Sequence, residues 1–198
     1  MIYSAHGTTT AYLEIYEKKI GLSVGKSYFQ NSTEIADGEW HHVVAVMERD
    51  KGITIYVDGI GETGGAPEST DLQFTSDIFF GKYSGGGYYW NGALADIKIY
   101  NRAITDDEVL SVYSGINETS QGLIGKWHES NAAGSSIVDT ISGNDARLYG
   151  AIPSGDLNTV VSSEMDSFFL MKSEILDEQN KITENNLPTD DLTKIFVK

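Results

Sequence analysis

The sequence predicts an all-β protein: a two-sheet antiparallel sandwich with one short helix and an acidic C-terminal tail. Three observations carry that reading. Between residues 11 and 100 short alternating or wholly apolar runs are separated by tight turns, with no helical spacing among them. Asp58-Gly59 follows one such run, Ile53 to Val57, and this dipeptide is the strongest short hairpin signal because both turn positions tolerate positive φ. Helix signals converge at one place only, from Thr105 onward.

The elements follow in chain order. Ala11-Tyr12-Leu13-Glu14-Ile15-Tyr16 alternates, Glu17-Lys18-Lys19 turns, and Ile20-Gly21-Leu22-Ser23-Val24 returns. After the turn Asp37-Gly38-Glu39, the run from Trp40 to Met47 is apolar on both faces past its two histidines, the pattern of a strand covered on both sides. Arg49-Asp50-Lys51-Gly52 turns again, and Ile53-Thr54-Ile55-Tyr56-Val57 pairs back. Ile78-Phe79-Phe80-Gly81 and Ala93 to Tyr100 supply two more strands, joined by a loop rich in glycine and aromatic residues from Gly81 to Gly92. Thr105-Asp106-Asp107-Glu108 is a capping box: Thr105 caps, Glu108 reaches back, and the aspartates sit at the positive end of the helix dipole. Val109, Leu110 and Val112 make an apolar side, and Gly115 ends the helix. Beyond a polar linker, Leu123 to Trp127 and Arg147 to Ile152 read as strands around the turn Ser142-Gly143-Asn144-Asp145. From Pro153 the chain is polar and acidic, with an apolar knot at Phe168-Phe169-Leu170-Met171, and is expected to order only in part or against a partner. Trp40 and Trp127 are expected in the core.

Composition narrows the function. The 198 residues hold 14 Lys and Arg against 29 Asp and Glu, a formal net charge of -15. A phosphate backbone or an anionic lipid surface requires a basic face, so the charge argues against nucleic acid and docking on anionic lipid. No stretch approaches the roughly 18 apolar residues a membrane helix needs, so no membrane insertion is expected. Neutral ligands, cations or basic partners suit such a surface. Hydrophobic residues make up 40% of the chain, enough for a core. There is no cysteine, which removes disulfides, thiolate nucleophiles and cysteine metal sites from consideration. Residues 1–7 lack the basic start and apolar middle of a signal peptide. Action outside a cell would then require a leader already removed, or another route out, such as a virion.

Three segments in order resemble the laminin G-like, concanavalin A-like lectin and glucanase jelly roll. They are Asp37-Gly38-Glu39-Trp40-His41-His42-Val43-Val44, then Ile55-Tyr56-Val57-Asp58-Gly59, then Gly92 to Ile104 running into Asp107-Glu108-Val109. The resemblance covers roughly residues 11 to 115, and the family pattern would begin some tens of residues before Met1. A second resemblance is to the opening of such domains. It rests on Leu123-Ile124-Gly125-Lys126-Trp127-His128-Glu129, Asp139-Thr140-Ile141-Ser142-Gly143-Asn144-Asp145 and Leu148-Tyr149-Gly150-Ala151. The implied organisation is a jelly-roll core at 1–116, opening strands at 117–152 that pack on the same or a neighbouring sandwich, and an acidic tail at 153–198. A slice through tandem domains and a permuted domain both fit that order, and strands exchanged between copies would make a homo-oligomer.

Candidate chemistry is sparse. Tyr83, Tyr88, Tyr89 and Trp90 can stack on the C–H faces of sugar rings, with neighbouring glycines admitting close approach. Alternatively, Trp90 and one tyrosine plug the sandwich edge and the rest decorate the surface. The resemblance implies a structural calcium ion (Ca2+) ligated by Asp96, although the preceding position, often acidic in the family, is Ala95 here. The alternative for Asp96 is a pair with a neighbouring Lys or Arg. His41 and His42 point to opposite faces of a strand and cannot chelate one ion. Asp139 and Asn144 are expected to stabilise their own turn. The Glu-x-Asp-x-x-Glu string of glucanase relatives is absent, as are a nucleophile elbow and a phosphate-binding glycine loop. The sequence therefore predicts a non-catalytic recognition module for a glycan or cell-surface partner, acting in adhesion outside the cell. The other reading is a virion surface protein, a phage decoration, fibre or baseplate component carrying the same fold.

Overall fold

Turn chemistry and alternation place most of the strands. The computed structural model describes residues 1–7, 10–66, 77–133, 135–149, 168–171, 191–192 and 196–197. Strands β1 (Tyr3–Ala5), β2 (Ala11–Tyr16), β3 (Lys19–Val24) and β4 (Ser27–Glu34) form a meander. Its β2–β3 turn uses positive φ at both Glu17 and Lys18, the twist-compatible geometry of a two-residue hairpin. Strands β5 (Val43–Glu48), β6 (Gly52–Val57) and β7 (Ile60–Gly64) form a second meander, with Asp58 and Gly59 at φ 50° and 81° between β6 and β7. Then come β8 (Ile78–Phe80), β9 (Ile97–Tyr100), α1 (Asp106–Tyr113), β10 (Leu123–Ala133), β11 (Ser136–Asp139), β12 (Ala146–Tyr149), β13 (Phe168–Met171), β14 (Asp191–Leu192) and β15 (Phe196–Val197).

These strands make two antiparallel sheets. The larger has ten strands in the order β4-β3-β2-β1-β8-β13-β12-β11-β10-β9. The smaller has β5, β6 and β7, with β14 and β15 both pairing along the outer edge of β5. Covering that edge matters, because an open row of backbone donors and acceptors invites pairing with another chain. Segment 117–152 contributes β10 to β12 to the larger sheet, where β10 pairs with β9 through Trp127↔Ile97 and Lys126↔Lys98.

The two faces of β5 and β6 are both buried, and each has its own core. Val43, Ala45, Met47, Ile53, Ile55 and Val57 face the larger sheet and join Leu13, Ile20, Phe80, Ile97 and Trp127 in the main core. Their alternates Val44, Val46 and Tyr56 pack with Tyr100, Ile104 and Val109 in a second core beneath α1. The helix is fixed there by its expected capping box, with Thr105 accepting from the Glu108 amide at 3.3 Å and Glu108 accepting from the Thr105 amide at 2.8 Å. Arg102 clasps the same carboxylate with both of its terminal nitrogens, and chiefly this holds Glu108 down at a pKa of about 2. Tyr56 reaches across to donate to Asp106 at 2.5 Å.

Some elements depart from expectation. Trp40 is 41% exposed rather than a core residue, because the chain enters the sheet only at Val43 and leaves the indole on the preceding loop. Trp127 is buried as expected. The strand expected from Ala93 starts at Ile97, since Asp96 adopts φ 50° and breaks extension. β1 and β4 were not evident from the sequence: β1 is three residues long, and β4 is largely polar. In β4, Asn31 takes an inward position by donating to the Ile55 carbonyl at 3.2 Å, a satisfied buried polar group that hydropathy cannot reveal. Residues 150–152 of the strand expected through Ile152 lie outside the described residues, as does most of the tail.

The second core predicts a sharp contrast between two isoleucines. Ile104→Ala removes a buried side chain from under the helix and is expected to cost about 2–5 kcal/mol. Ile60→Ala, at a position 73% exposed, is expected to stay within about 0.5 kcal/mol. Urea denaturation of both variants measures the difference.

Candidate functional site

The loop between β8 and β9 is held at its base and open at its tip. Trp90 donates its amide to the Gly81 carbonyl at 2.7 Å, closing the base, and Gly81 donates to Ile2 at 2.8 Å, tying that base to the N-terminal strand. Ser4, wholly buried, donates to the Lys82 carbonyl at 2.9 Å and accepts from the Ser84 amide at 2.8 Å. The tip is a tight turn in which Gly86 and Gly87 both adopt positive φ, at 93° and 75°. The turn is closed by Gly86 N–H to Tyr83 at 2.9 Å and Tyr83 N–H to Gly87 at 3.2 Å.

The four aromatic residues expected to form a site divide into three kinds. Trp90 is partly buried and packs on the main core. Tyr83 stands edge-on to His6, Tyr12 and Tyr88 at ring-centroid distances of 5.3, 6.4 and 6.1 Å, a favoured arrangement for aromatic rings. Tyr88 and Tyr89 are 75% and 47% exposed at the tip. Tyr88 also sits at φ 51°, a conformation uncommon for a bulky non-glycine residue.

Strand register extends this aromatic surface beyond the loop. Ser4, Tyr12, Ser23 and Tyr28 lie opposite one another across β1 to β4. Their neighbours Leu13 and Leu22 belong to the main core, so this row lies on the outer face. Tyr28 is exposed, and its ring lies over Gly21, where a Cβ would stand 2.7 Å from the phenol oxygen. Tyr16 is exposed further along β2. Glu14 lies between Tyr12 and Tyr16, and partial burial raises its carboxyl pKa above the usual range. The alternation Tyr12-x-Glu14-x-Tyr16 was visible in the sequence, but its alignment with Tyr28 depends on β4.

Asp96 does not stand among oxygen ligands. Its carboxylate accepts from Lys98, whose side chain is only 4% exposed and whose ammonium lies 3.7 Å from Glu118. Glu118 in turn accepts from Lys126 at 2.5 Å. Calcium requires six to eight oxygens, and an ammonium in contact with the carboxylate repels a dication. The donor set around Asp96 therefore does not fit calcium and matches the ion-pair alternative. Among the described residues no three His, Cys, Asp or Glu side chains converge as a metal site.

Other acidic motifs form local structure. Asp139, buried, accepts from the amides of Lys126, Ile141, Ser142 and Asn144 and from the Ser142 hydroxyl. Those donors occupy the lone pairs that a metal would need. The turn they fix holds the Asn144 carbonyl 2.8 Å from the Trp127 indole nitrogen. His41 bridges two carboxylates: Nδ1 lies 2.8 Å from Asp58 and Nε2 lies 3.1 Å from Asp37. His42 turns the other way and packs against Tyr113.

The profile of the concanavalin A-like lectin/glucanases superfamily matches residues 6–110, and the chain belongs to that superfamily. Its two antiparallel sheets, with one short helix, are those of a concanavalin A-like sandwich. Laminin G-like folds of this kind are typically non-catalytic modules that bind ligands or partners and are commonly extracellular. Among curated proteins, the chain is 26% identical over 133 residues to the calpain-type cysteine protease DEK1 of Zea mays, covering 56% of this chain. It spans only 6% of that protein's length, and its 198 residues hold no cysteine. No solved structure matches. No helix among the described residues is long and apolar enough to cross a membrane.

Two outcomes follow from these geometries. Burial pulls the His41 pKa down, but hydrogen bonds to Asp58 and Asp37 outweigh it, and the net shift is upward from 6.5. A raised folded value means that the stabilisation is full below the unfolded value and fades as pH rises through the folded one. The stability advantage of the wild type over His41→Gln is therefore expected to be larger at pH 5.5 than at pH 8.5, as measured by urea titrations at both. For Asp96, millimolar calcium is expected to leave the melting temperature unchanged relative to chelator, and a calcium-dependent rise would overturn the ion-pair assignment.

Proposed function

We propose that the protein is a non-catalytic recognition module that binds glycans on the outer face of the larger sheet, where the 81–92 loop overhangs β1 and β2. The observation that carries this reading is the exposure of Tyr88 and Tyr89 on a loop whose base is fixed to Ser4, Ile2 and the core. Rigid, exposed aromatic rings gain stacking contact on binding with little loss of conformational freedom. Tyr12 and Tyr28 continue the surface, and Glu14 adds a hydrogen-bonding group between tyrosines. In this reading Trp90 positions the loop while Tyr83, Tyr88 and Tyr89 contact the sugar. The acidic surface favours a neutral oligosaccharide over an anionic one. The site of action is extracellular, on glycans displayed at a cell surface.

A glycan array identifies ligands, and calorimetry with the best of them tests the site. Tyr88→Ala is expected to weaken binding by about 1–3 kcal/mol. Its folding stability should stay within about 0.5 kcal/mol of wild type, since the ring is exposed. An array without hits, or a ligand whose affinity ignores both Tyr88→Ala and Tyr89→Ala, would sink the proposal.

A further inference from the structure

The larger sheet is continuous only because of one four-residue strand from the far C-terminal region. β13 lies between β8 and β12 and runs antiparallel to both. Phe169 stands opposite Phe80 on one side and Leu148 on the other, and Leu170 opposite Phe79 and Arg147. It follows that β8 and β12 run parallel to each other at two strand spacings, roughly 9–10 Å. Backbone groups that far apart cannot bond directly. Without β13 the sheet would part into β4-β3-β2-β1-β8 and β12-β11-β10-β9, each with a new open edge.

That arrangement has the properties of a binding slot. Its walls carry residues of the main core, Phe80 and Ala146 among them, so the slot opens on the hydrophobic interior. Each wall presents a row of backbone donors and acceptors, which fixes an incoming strand by main-chain bonds on both sides. The occupant is an apolar run, Phe168-Phe169-Leu170-Met171, set between Asp166 and Lys172 in an acidic stretch. It follows β12 only after residues 150–167, much longer than the connections of about 2–5 residues that set register in hairpins. Its register is therefore set by the slot.

We infer that the gap between β8 and β12 is a strand-acceptor site whose ligand is the segment Phe168–Met171. The segment binds as a separable strand, and the site accepts it equally from a second copy of the chain. Copies that exchange this strand are joined through their largest sheet, which gives the protein a route to self-association.

Hydrogen exchange on the full-length chain tests this. Proline at position 170 removes a backbone N–H and cannot continue a central strand. In Leu170→Pro, the amides of β8 and β12 are expected to lose protection together, exchanging at least tenfold faster, while β5 and β6 keep theirs. Adding a synthetic peptide of residues 163–176 is expected to restore protection on both walls, and the same peptide carrying Leu170→Pro is not. Unchanged protection in the variant overturns the inference. Lost protection that the peptide does not restore also overturns it, since the strand would then be inseparable from the fold. Should the variant unfold throughout, with β5 and β6 exchanging as well, the wild-type chain decides. Incorporation of fluorescein-labelled 163–176 peptide, seen as rising anisotropy, supports the site, and a flat signal overturns it.

Discussion

The hairpin of β5 and β6 is buried on both faces, and the rest of the structure is arranged around covering it. One face needs a sheet and the other needs something narrower, because its buried apolar residues are Val44, Val46 and Tyr56. The chain answers with β9, the turn through Ile104 and a helix of eight residues. A helix so short would not persist alone in water. Its stability comes from Val109 on the second core, the capping box and the Arg102 clasp on Glu108. The cover and the covered hairpin thus depend on each other, and loosening either exposes a valine-rich ribbon.

Acidic residues do much of the local shaping, which gives the net charge of -15 a structural side. Asp58 accepts from the His42 amide at 2.9 Å and meets the His41 ring, locking the β6–β7 turn to the segment entering β5. Asp139 gathers the amides of its own loop and sets the Asn144 carbonyl beside Trp127. Asp96 and Glu118 meet the buried Lys98. Asp58 and Asp139 are each matched by several donors, and the buried Lys98 ammonium is matched by two carboxylates, as charges near a protein interior require.

The outer face has different physics. There the rings of Tyr88, Tyr89, Tyr28 and Tyr16 remain exposed. The pinning of the 81–92 loop through buried Ser4 separates a rigid base from an open tip, the division of labour expected when loops carry recognition and a sheet carries stability. The strand slot between β8 and β12 lies in the same sheet, and its β8 wall pairs with β1 and leads directly into the 81–92 loop.

The sequence by itself determined the turns at Glu17-Lys18, Arg49 to Gly52 and Asp58-Gly59, the helix and the identity of the double-sided strand. Those depend on neighbours in the chain: Asp58-Gly59 fixes a turn, Thr105 with Glu108 fixes a cap, and the unbroken run Val43 to Met47 demands burial on both sides. It also indicated the aromatic loop and the self-contained turn at Asp139. Other features were decided by tertiary structure, because they depend on what lies opposite. Trp40 is exposed because the sheet begins three residues later. Asp96 meets Lys98 at a left-handed residue that delays the start of the expected strand to Ile97. Tyr12 joins Tyr28 because β4, a polar segment by composition, pairs with β3 and satisfies its buried Asn31 on a carbonyl of β6. The place of Phe168 to Met171 is the furthest from prediction. An apolar quartet in an acidic stretch announces that it will be covered, but its partners are set by two parallel strands one strand's width too far apart to bond to each other.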